Sequence, residues 1–137
     1  MEKQTAYEGM ESAVPCLDEE RYERQMTEVV EPYLEKAGIR GSNAGLYYEF
    51  YGHREPRATI VISHGFTESC EKYHELIYYM HRMGYQVAMQ EHRGHGKSFR
   101  EVEEPQLVHV EDFSLYVEDL HHFIRHLAEI FAFYWDE

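Results

Sequence analysis

Residues 58–63, Ala-Thr-Ile-Val-Ile-Ser, restrict the fold of this chain more than any other stretch. The run is apolar along nearly its whole length, rich in β-branched side chains, and ends in His64-Gly65. A strand with one wet face alternates apolar and polar residues; a strand covered on both faces has no need to. The run therefore predicts a strand buried on both faces. Behind it Tyr73, Leu76, Ile77, Met80 and Met83 recur at helical spacing, and Gly84 stands where a left-handed residue closes a helix. "YQVAMQ" (85–90) then reads as the next strand. Strand, helix and strand in succession predict an α/β fold with a mostly parallel sheet.

The flanks add to this frame. Aromatic "LYYEFY" (46–51) predicts a further strand, and "GIRGSNAG" (38–45) has the chemistry of a turn. Between 18 and 36, Tyr22, Met26, Val29, Val30, Tyr33 and Leu34 predict a helix that Pro32 divides in two. Near the end, Val110, Phe113, Val117, Leu120, Ile124, Leu127 and Phe131 alternate in steps of three and four. That spacing predicts an amphipathic helix of about six turns. The same steps fit a coiled-coil seam, but the strand–helix–strand pattern before them favours packing on a sheet. Residues 1–43 thus read as an N-terminal helical extension and 44–137 as the main unit.

The chain has 137 residues and a 43% hydrophobic fraction, enough for one globular domain. Its net charge of −13, from 26 acidic and 13 basic residues, repels nucleic acid and anionic lipid surfaces. Cys16 and Cys70 form no CxxC pair, and two reduced thiols in a cytoplasmic protein are the expectation. The first residues contain no apolar signal-peptide core, and no segment reaches the about 18 apolar residues of a membrane span.

"EHRGHGKSFR" (91–100) contains Gly96-Lys97-Ser98, the end of a phosphate-binding loop. The pattern G-x-x-x-x-G-K-[ST] then requires glycine at position 91, where this chain has Glu91, a carboxylate that would repel phosphate. The acidic, Pro105-containing stretch after Ser98 opens no helix. Nucleotide binding is therefore rejected.

A strand ending in His64-Gly65-Phe66 turns sharply at the carboxyl edge of a sheet, where open α/β sheets bind ligands. "VISHGFTESCEKYHELIYYMHRMGYQVAMQEHRGHGKS" resembles the N-terminal half of α/β-hydrolases of the lysophospholipase and monoacylglycerol lipase type. The likeness rests on "HGFTES", on the helix through Tyr73 to Gly84-Tyr85, and on the strand running into "EHRGHGKS". The family has Asp-x-Arg-Gly-x-Gly-x-Ser there; Glu91 takes the acidic place, with Arg93, Gly94, Gly96 and Ser98 matching. "HVEDFSLYVEDLHHFI" is similar to the family's next helix, so the likeness runs from about residue 45 to 127. It implies a partial α/β-hydrolase fold lacking its second half. It implies that the Phe66 backbone N–H is an oxyanion-hole donor, with His64 and Gly65 shaping the loop. It also implies that Arg93, Gly94, Gly96 and Ser98 form a structural loop at the site rim. The reaction implied is hydrolysis of a lipid or small carboxylic ester through an acyl-enzyme, with no cofactor and no metal.

No serine of this sequence fits the G-x-S-x-G elbow. Ser63 has Gly65 after it but Val61 before it, and Ser98 has Gly96 before it but Arg100 after it. The expected catalytic set in this chain is therefore empty, and the chain alone is expected to be inactive. A complete domain of this class runs to about 200–250 residues, so the chain reads as a truncated one. An open edge at strand 58–63 would then invite a homodimer or the C-terminal half. The alternative is a small non-catalytic α/β module that pairs through that edge.

Other reactive side chains have simpler readings. His122 and His126, at i and i+4, suit a metal but lack a completing ligand. His92 and His95 read as loop packing, and Glu19-Glu20 and Glu103-Glu104 as solvated faces. Cys70 opens the helix after the oxyanion loop, where a thiol pKa can fall.

Overall fold

In a computed structural model, which describes residues 14–101 and 110–135, a four-stranded sheet lies between two helical layers. The strands are β1 (Gly38–Asn43), β2 (Leu46–Tyr51), β3 (Thr59–Ile62) and β4 (Gln86–Gln90), in the order β1-β2-β4-β3. A helical run opens the chain: a 3-10 turn Glu19–Arg21, α1 (Tyr22–Gln25), a π-helical turn Met26–Val30 and α2 (Glu31–Ala37). A 3-10 turn Cys70–Tyr73 leads into α3 (His74–Arg82), and α4 spans Ser114–Trp135. Pro105 and the Glu103-Glu104 pair lie outside the described residues. Among the described residues no helix is long and apolar enough to cross a membrane.

The sheet is mixed rather than mostly parallel. β3 and β4 run parallel, but β2 is antiparallel to both β1 and β4. The β1–β2 pair is antiparallel because the two-residue turn Ala44-Gly45, with φ of 52° and 83°, has a geometry that joins neighbouring strands only as a hairpin. The expected turn over 38–45 thus narrows to its last two residues, and "GIRGSN" is strand β1. Its glycines hid it, since glycine is depleted in strands. Here Gly38 pairs with Tyr51 and Gly41 with Tyr48. A Cβ on Gly38 would stand 2.2 Å from a Tyr51 ring carbon, and one on Gly41 2.6 Å from the Tyr48 hydroxyl. The tyrosine rings thus cover bare backbone, as aromatic side chains do over edge glycines. The boundary expected at residue 43 falls inside this hairpin.

Alternation along the strands builds two cores. Val87, Met89 and Tyr51 face Val30, Leu34, Ile77 and Tyr78 of the N-terminal helices and α3. Ala88 and Phe50 face Phe123, Leu127 and Ile130 of α4. β4 is buried along its whole length, whereas Thr59 is exposed and Ile60, Val61 and Ile62 only half-buried. The most apolar run is therefore the sheet's edge, with β4 as its one partner among the described residues. The helix before Pro32 does not break. Proline has no N–H for an i−4 bond, and the π turn absorbs the change of pitch, the Glu31 N–H reaching back to the Met26 carbonyl. Gly84 closes α3 as expected: its N–H donates to the His81 carbonyl and that of Tyr85 to Met80. On α4 the apolar stripe is rotated from the expected one. Phe123, Leu127 and Ile130 are buried, while Phe113, Val117 and Ile124 are exposed by 72%, 59% and 50%.

A buried ionic network joins β2 to α3. Glu49, 1% exposed, accepts the Tyr47 and Tyr51 hydroxyls, each at 2.6 Å, and His74 Nε2–H at 2.8 Å. His74 Nδ1–H donates to Glu31 at 2.7 Å, and Arg40 Nε stands 3.6 Å from Glu49. Burial pushes the Glu49 carboxyl up, but the bonds from His74, Tyr47 and Tyr51 outweigh it and hold the group at about 2. Burial pushes His74 down, and Glu49 and Glu31 outweigh that to raise it. Glu49 therefore stabilises the fold above its ordinary value of 4.5 and ceases to do so as pH falls toward about 2. His74 stabilises fully below 6.5 and ceases to do so as pH rises through its folded value. His64, His81 and His92, held below their ordinary value by burial, weigh the other way below pH 6.5. The contribution of His74 is therefore read from the difference in urea midpoint between the chain and His74→Gln. That difference is expected to be largest below pH 6.5 and to shrink as pH rises through the folded His74 value. A difference that stays constant across that range would contradict the assignment.

Candidate active site

β3 and β4 are parallel, so their carboxyl ends lie side by side and release two loops at one sheet edge, 63–69 and 91–99. Glu91 ties them together. Its carboxylate, 2% exposed, accepts the Cys70 N–H at 2.9 Å on Oε2 and the Lys97 N–H at 2.7 Å on Oε1. Gly96 sits against it at φ 47°, and a Cβ there would come within 2.4 Å of Glu91 Oε1. Ser98 Oγ donates to the Glu91 carbonyl at 2.6 Å and accepts the Tyr47 N–H at 3.0 Å, anchoring the loop to β2. Arg93 reaches across to α4, where Nε and an Nη donate to the two Asp119 oxygens, both at 2.8 Å, while its other Nη meets Glu101 at 3.1 Å. Gly94 N–H donates to the Phe99 carbonyl at 2.7 Å. The Lys97 ammonium lies over the Tyr47 ring, 4.7 Å from its centre. The pair that suggested a phosphate loop is thus spent on internal contacts.

Three imidazoles cross-link the loops. His64 Nε2 accepts the His92 N–H at 2.9 Å, so its proton is on Nδ1, which donates to the Gly65 carbonyl at 2.7 Å. His95 Nε2 accepts the Thr67 N–H at 3.0 Å, and its Nδ1–H donates to the Arg93 carbonyl at 3.1 Å. His92 Nε2–H donates to the His64 carbonyl at 3.1 Å. Burial, with His92 and His95 nearby, carries His64 down to about 4 against the pull of Gly65, and burial also lowers His92. With Nε2 occupied by a backbone N–H, His64 has no free lone pair for a general base. The Ser63 hydroxyl, 3.4 Å from His92 Nε2, is a juxtaposition that sequence spacing did not reveal. That nitrogen already carries the proton it gives to the His64 carbonyl, so it does not activate Ser63.

The amides of the 63–69 loop are unequally used. Gly65 N–H donates to Glu68 at 2.7 Å and Thr67 N–H to His95, but Phe66 N–H has no partner among the described residues. Thr67 holds φ 63°, a left-handed value that strains a β-branched residue. Glu68 pins the loop, also accepting the Tyr73 hydroxyl at 2.6 Å and pairing with Lys72. These bonds, Lys72 first, carry the Glu68 carboxyl down to about 2. Beside the loop lies a groove of about 290 Å³, with Phe66, Phe113, Val117 and Leu120 as apolar walls and Ser63, His64, His92, His95 and Tyr116 as the polar side. Cys70 is buried and its thiol is pushed well up, by burial first and then by Glu49 and Glu91, the reverse of a helix-end activation. Cys16 and Cys70 are both free thiols. His126 pairs with Glu129 at 3.1 Å, and no group of three metal-ligating side chains forms among the described residues.

Gly96→Ala meets both a left-handed φ and the Glu91 oxygen, and is expected to cost about 1–3 kcal/mol by denaturant unfolding. In a Glu91→Asp background the shorter carboxylate withdraws, and the same change is expected to cost at least about 0.5 kcal/mol less. Strict additivity of the two changes would sink the contact.

Known proteins are similar to this chain in sequence. Over 61 residues the chain is 44% identical to lysophospholipase L2 of Escherichia coli strain K12, a span covering 44% of this chain and 18% of that protein. It is 33% identical over 83 residues to a monoacylglycerol lipase of Mycolicibacterium smegmatis, covering 61% of this chain and 28% of that protein. It is 38% identical over 65 residues to a monoglyceride lipase of Rattus norvegicus, covering 47% of this chain and 20% of that protein. The chain thus spans less than a third of the length of each of these relatives. The family described as serine aminopeptidase, S33, matches residues 54–133, more than half of the chain and the whole of both site loops. By that match, and by the strand–loop–helix frame that carries it, this chain belongs to the S33 serine aminopeptidase family of α/β-hydrolases.

Proposed function

We propose that this chain supplies the oxyanion side of a serine hydrolase that cleaves carboxylic esters of the lysophospholipid or monoacylglycerol type through an acyl-enzyme. The observation that carries the reading is the uncommitted Phe66 N–H, held between the committed amides of Gly65 and Thr67 beside an apolar groove. A donor fixed before the reaction stabilises the developing oxyanion without reorganising. Phe66, Phe113, Val117 and Leu120 offer the apolar part of an ester a wall. The relatives' names, lysophospholipase and monoacylglycerol lipase, support the ester class. His64, Gly65, Arg93, Gly94, Gly96 and Ser98 act by shaping and bracing the loops. The reaction so written uses no cofactor, and the two free thiols support a reducing, cytoplasmic setting.

The serine nucleophile, its base and its acid come, in this reading, from the remainder of the hydrolase fold. The outer side of β3, unpaired among the described residues, supports that edge as the seam where the remaining strands join. The 137-residue chain by itself is expected to show no hydrolysis of 4-nitrophenyl butyrate and no labelling by a fluorophosphonate; an inhibitor-sensitive rate would refute this. The oxyanion role is tested in a chimera carrying residues 45–127 in place of the matched segment of the Escherichia coli lysophospholipase L2. Phe66→Pro removes the N–H and is expected to lower kcat about 100- to 1,000-fold, whereas Phe66→Ala keeps the donor and most of the rate. Equal rates for the two variants would remove Phe66 from the oxyanion hole. An open β3 edge should also make the isolated chain self-associate in size-exclusion chromatography with light scattering, and a monodisperse monomer would count against the seam.

A further inference from the structure

Phe66 stands between two peptide groups, and an imidazole holds each of them. The peptide before it is held at its carbonyl: the Gly65 oxygen accepts His64 Nδ1–H at 2.7 Å and the Glu68 N–H at 3.2 Å. The peptide after it is held at its N–H, which Thr67 donates to His95 Nε2 at 3.0 Å. A trans peptide group is planar, with its N–H opposed to its C=O. Fixing the Gly65 oxygen therefore aims the Phe66 N–H the other way, and fixing the Thr67 N–H sets the far side of the same residue. The hold of His64 belongs to the loop that the sequence already implied. His95 read from sequence as loop packing, and packing does not account for its bond to Thr67.

Thr67 is exposed and holds φ 63°, which strains a β-branched residue. One such strained residue and one backbone hydrogen bond are of similar size in free energy, so the bond to His95 offsets the strain. Without that bond the turn relaxes. His95 is itself 3% exposed, and its Nδ1–H is spent on the Arg93 carbonyl at 3.1 Å. Its Nε2 accepts through a lone pair, and a proton there would face the Thr67 N–H. No carboxylate bonds to His95 among the described residues. The titratable rings around it are His64 and His92, with centres 4.9 and 5.9 Å away, and Tyr116 of α4 at 6.3 Å. The charges on the surrounding elements are committed elsewhere. Arg93 pairs with Asp119 and Glu101, Glu68 pairs with Lys72, and Glu91 holds the Cys70 and Lys97 amides. We propose that His95 is a positioning residue for the ester cleavage: its neutral imidazole, through Thr67, holds the Phe66 N–H on the developing oxyanion, and a proton on Nε2 lets that donor go. This rests on the oxyanion reading of Phe66.

The full chain, 15N-labelled, is the first test. Near neutral pH an NMR scalar coupling is expected across the bond from Thr67 N–H to His95 Nε2. Order parameters of about 0.85 are expected at the Phe66 and Thr67 N–H. As acid is added and the His95 Nε2 resonance reports its proton, the coupling is expected to vanish and both order parameters to fall below about 0.6. The titration stays above about pH 4, where His64 takes its own proton. His95→Gln supplies a carbonyl oxygen that accepts the same N–H and does not titrate, so it is expected to keep both amides ordered throughout. His95→Leu is expected to loosen them at every pH; if it does not fold, the unmodified chain and His95→Gln still carry the test. In the chimera, His95→Leu is expected to lower kcat about tenfold with KM unchanged, because the donor acts in the transition state. His95→Gln is expected to keep most of the rate and to lose less of it in acid. The proposal is overturned if the coupling is absent, if Nε2 takes no proton before His64 does, or if both amides stay ordered once it has. It is also overturned if His95→Leu leaves kcat unchanged in a chimera that Phe66→Pro disables. If Phe66→Pro disables nothing, the oxyanion reading fails and the proposal with it, while the coupling and order parameters separately show whether His95 holds Thr67.

Discussion

The buried carboxylate of Glu91 holds the functional end of this protein together. It stands at the end of β4 and binds one backbone N–H from each of two loops, Cys70 at the start of the turn into α3 and Lys97 in the loop after β4. A carboxylate out of water must have its oxygens hydrogen-bonded, so the chain on both sides is drawn to it. With Cys70 fixed, residues 63–69 have a set distance to cover from the end of β3. With Lys97 fixed, His92 and His95 are presented to that loop, where their bonds to His64 and Thr67 complete the cross-link. The family's acidic position has Asp where this chain has Glu, and the close contact between Gly96 and the longer side chain shows how the loop accommodates it.

The two faces of the sheet are held by different physics. On the α3 side an ionic and hydroxyl network runs through Glu49, His74 and Glu31 among apolar neighbours, and removing His74 would leave Glu49 buried with only its tyrosine hydroxyls and the more distant Arg40. On the α4 side the contact is nearly all apolar, Phe50 and Ala88 against Phe123, Leu127 and Ile130, with Arg93 and Asp119 as the polar tie at its end. Val117 and Ile124 of α4, with Phe113 just before it, form a second apolar stripe that stays largely exposed among the described residues. Phe113 and Val117 line the groove beside the 63–69 loop.

Much of this was legible in the sequence because it depends on neighbours in the chain. The strands 46–51 and 86–90, the helix ending at Gly84 and the resemblance carried by "HGFTES" and "EHRGHGKS" are local patterns. The misreadings were equally physical. "GIRGSN" looked like a turn because its glycines lack side chains, and only the facing Tyr48 and Tyr51 make it a strand. Ile60, Val61 and Ile62 looked central because they are apolar, but composition does not say which strand of a sheet is outermost. The three-and-four spacing of α4 located the helix but not its buried face, since two apolar stripes share one helix and only packing selects between them.

The sequence by itself determined three of the four strands and the helices between and after them, the family resemblance and the absence of a G-x-S-x-G serine within these residues, because each is a property of residue type and spacing along the chain. Only the tertiary structure decided the antiparallel pairing of β2 with β4, the edge position of β3, the tautomers of His64 and His95, and the Phe66 N–H left without a partner among the described residues between two occupied amides. Each of these depends on a partner from a distant part of the chain. A hydrogen bond between residues 67 and 95, or a strand pairing across 40 residues, leaves no periodic trace in the sequence to be read.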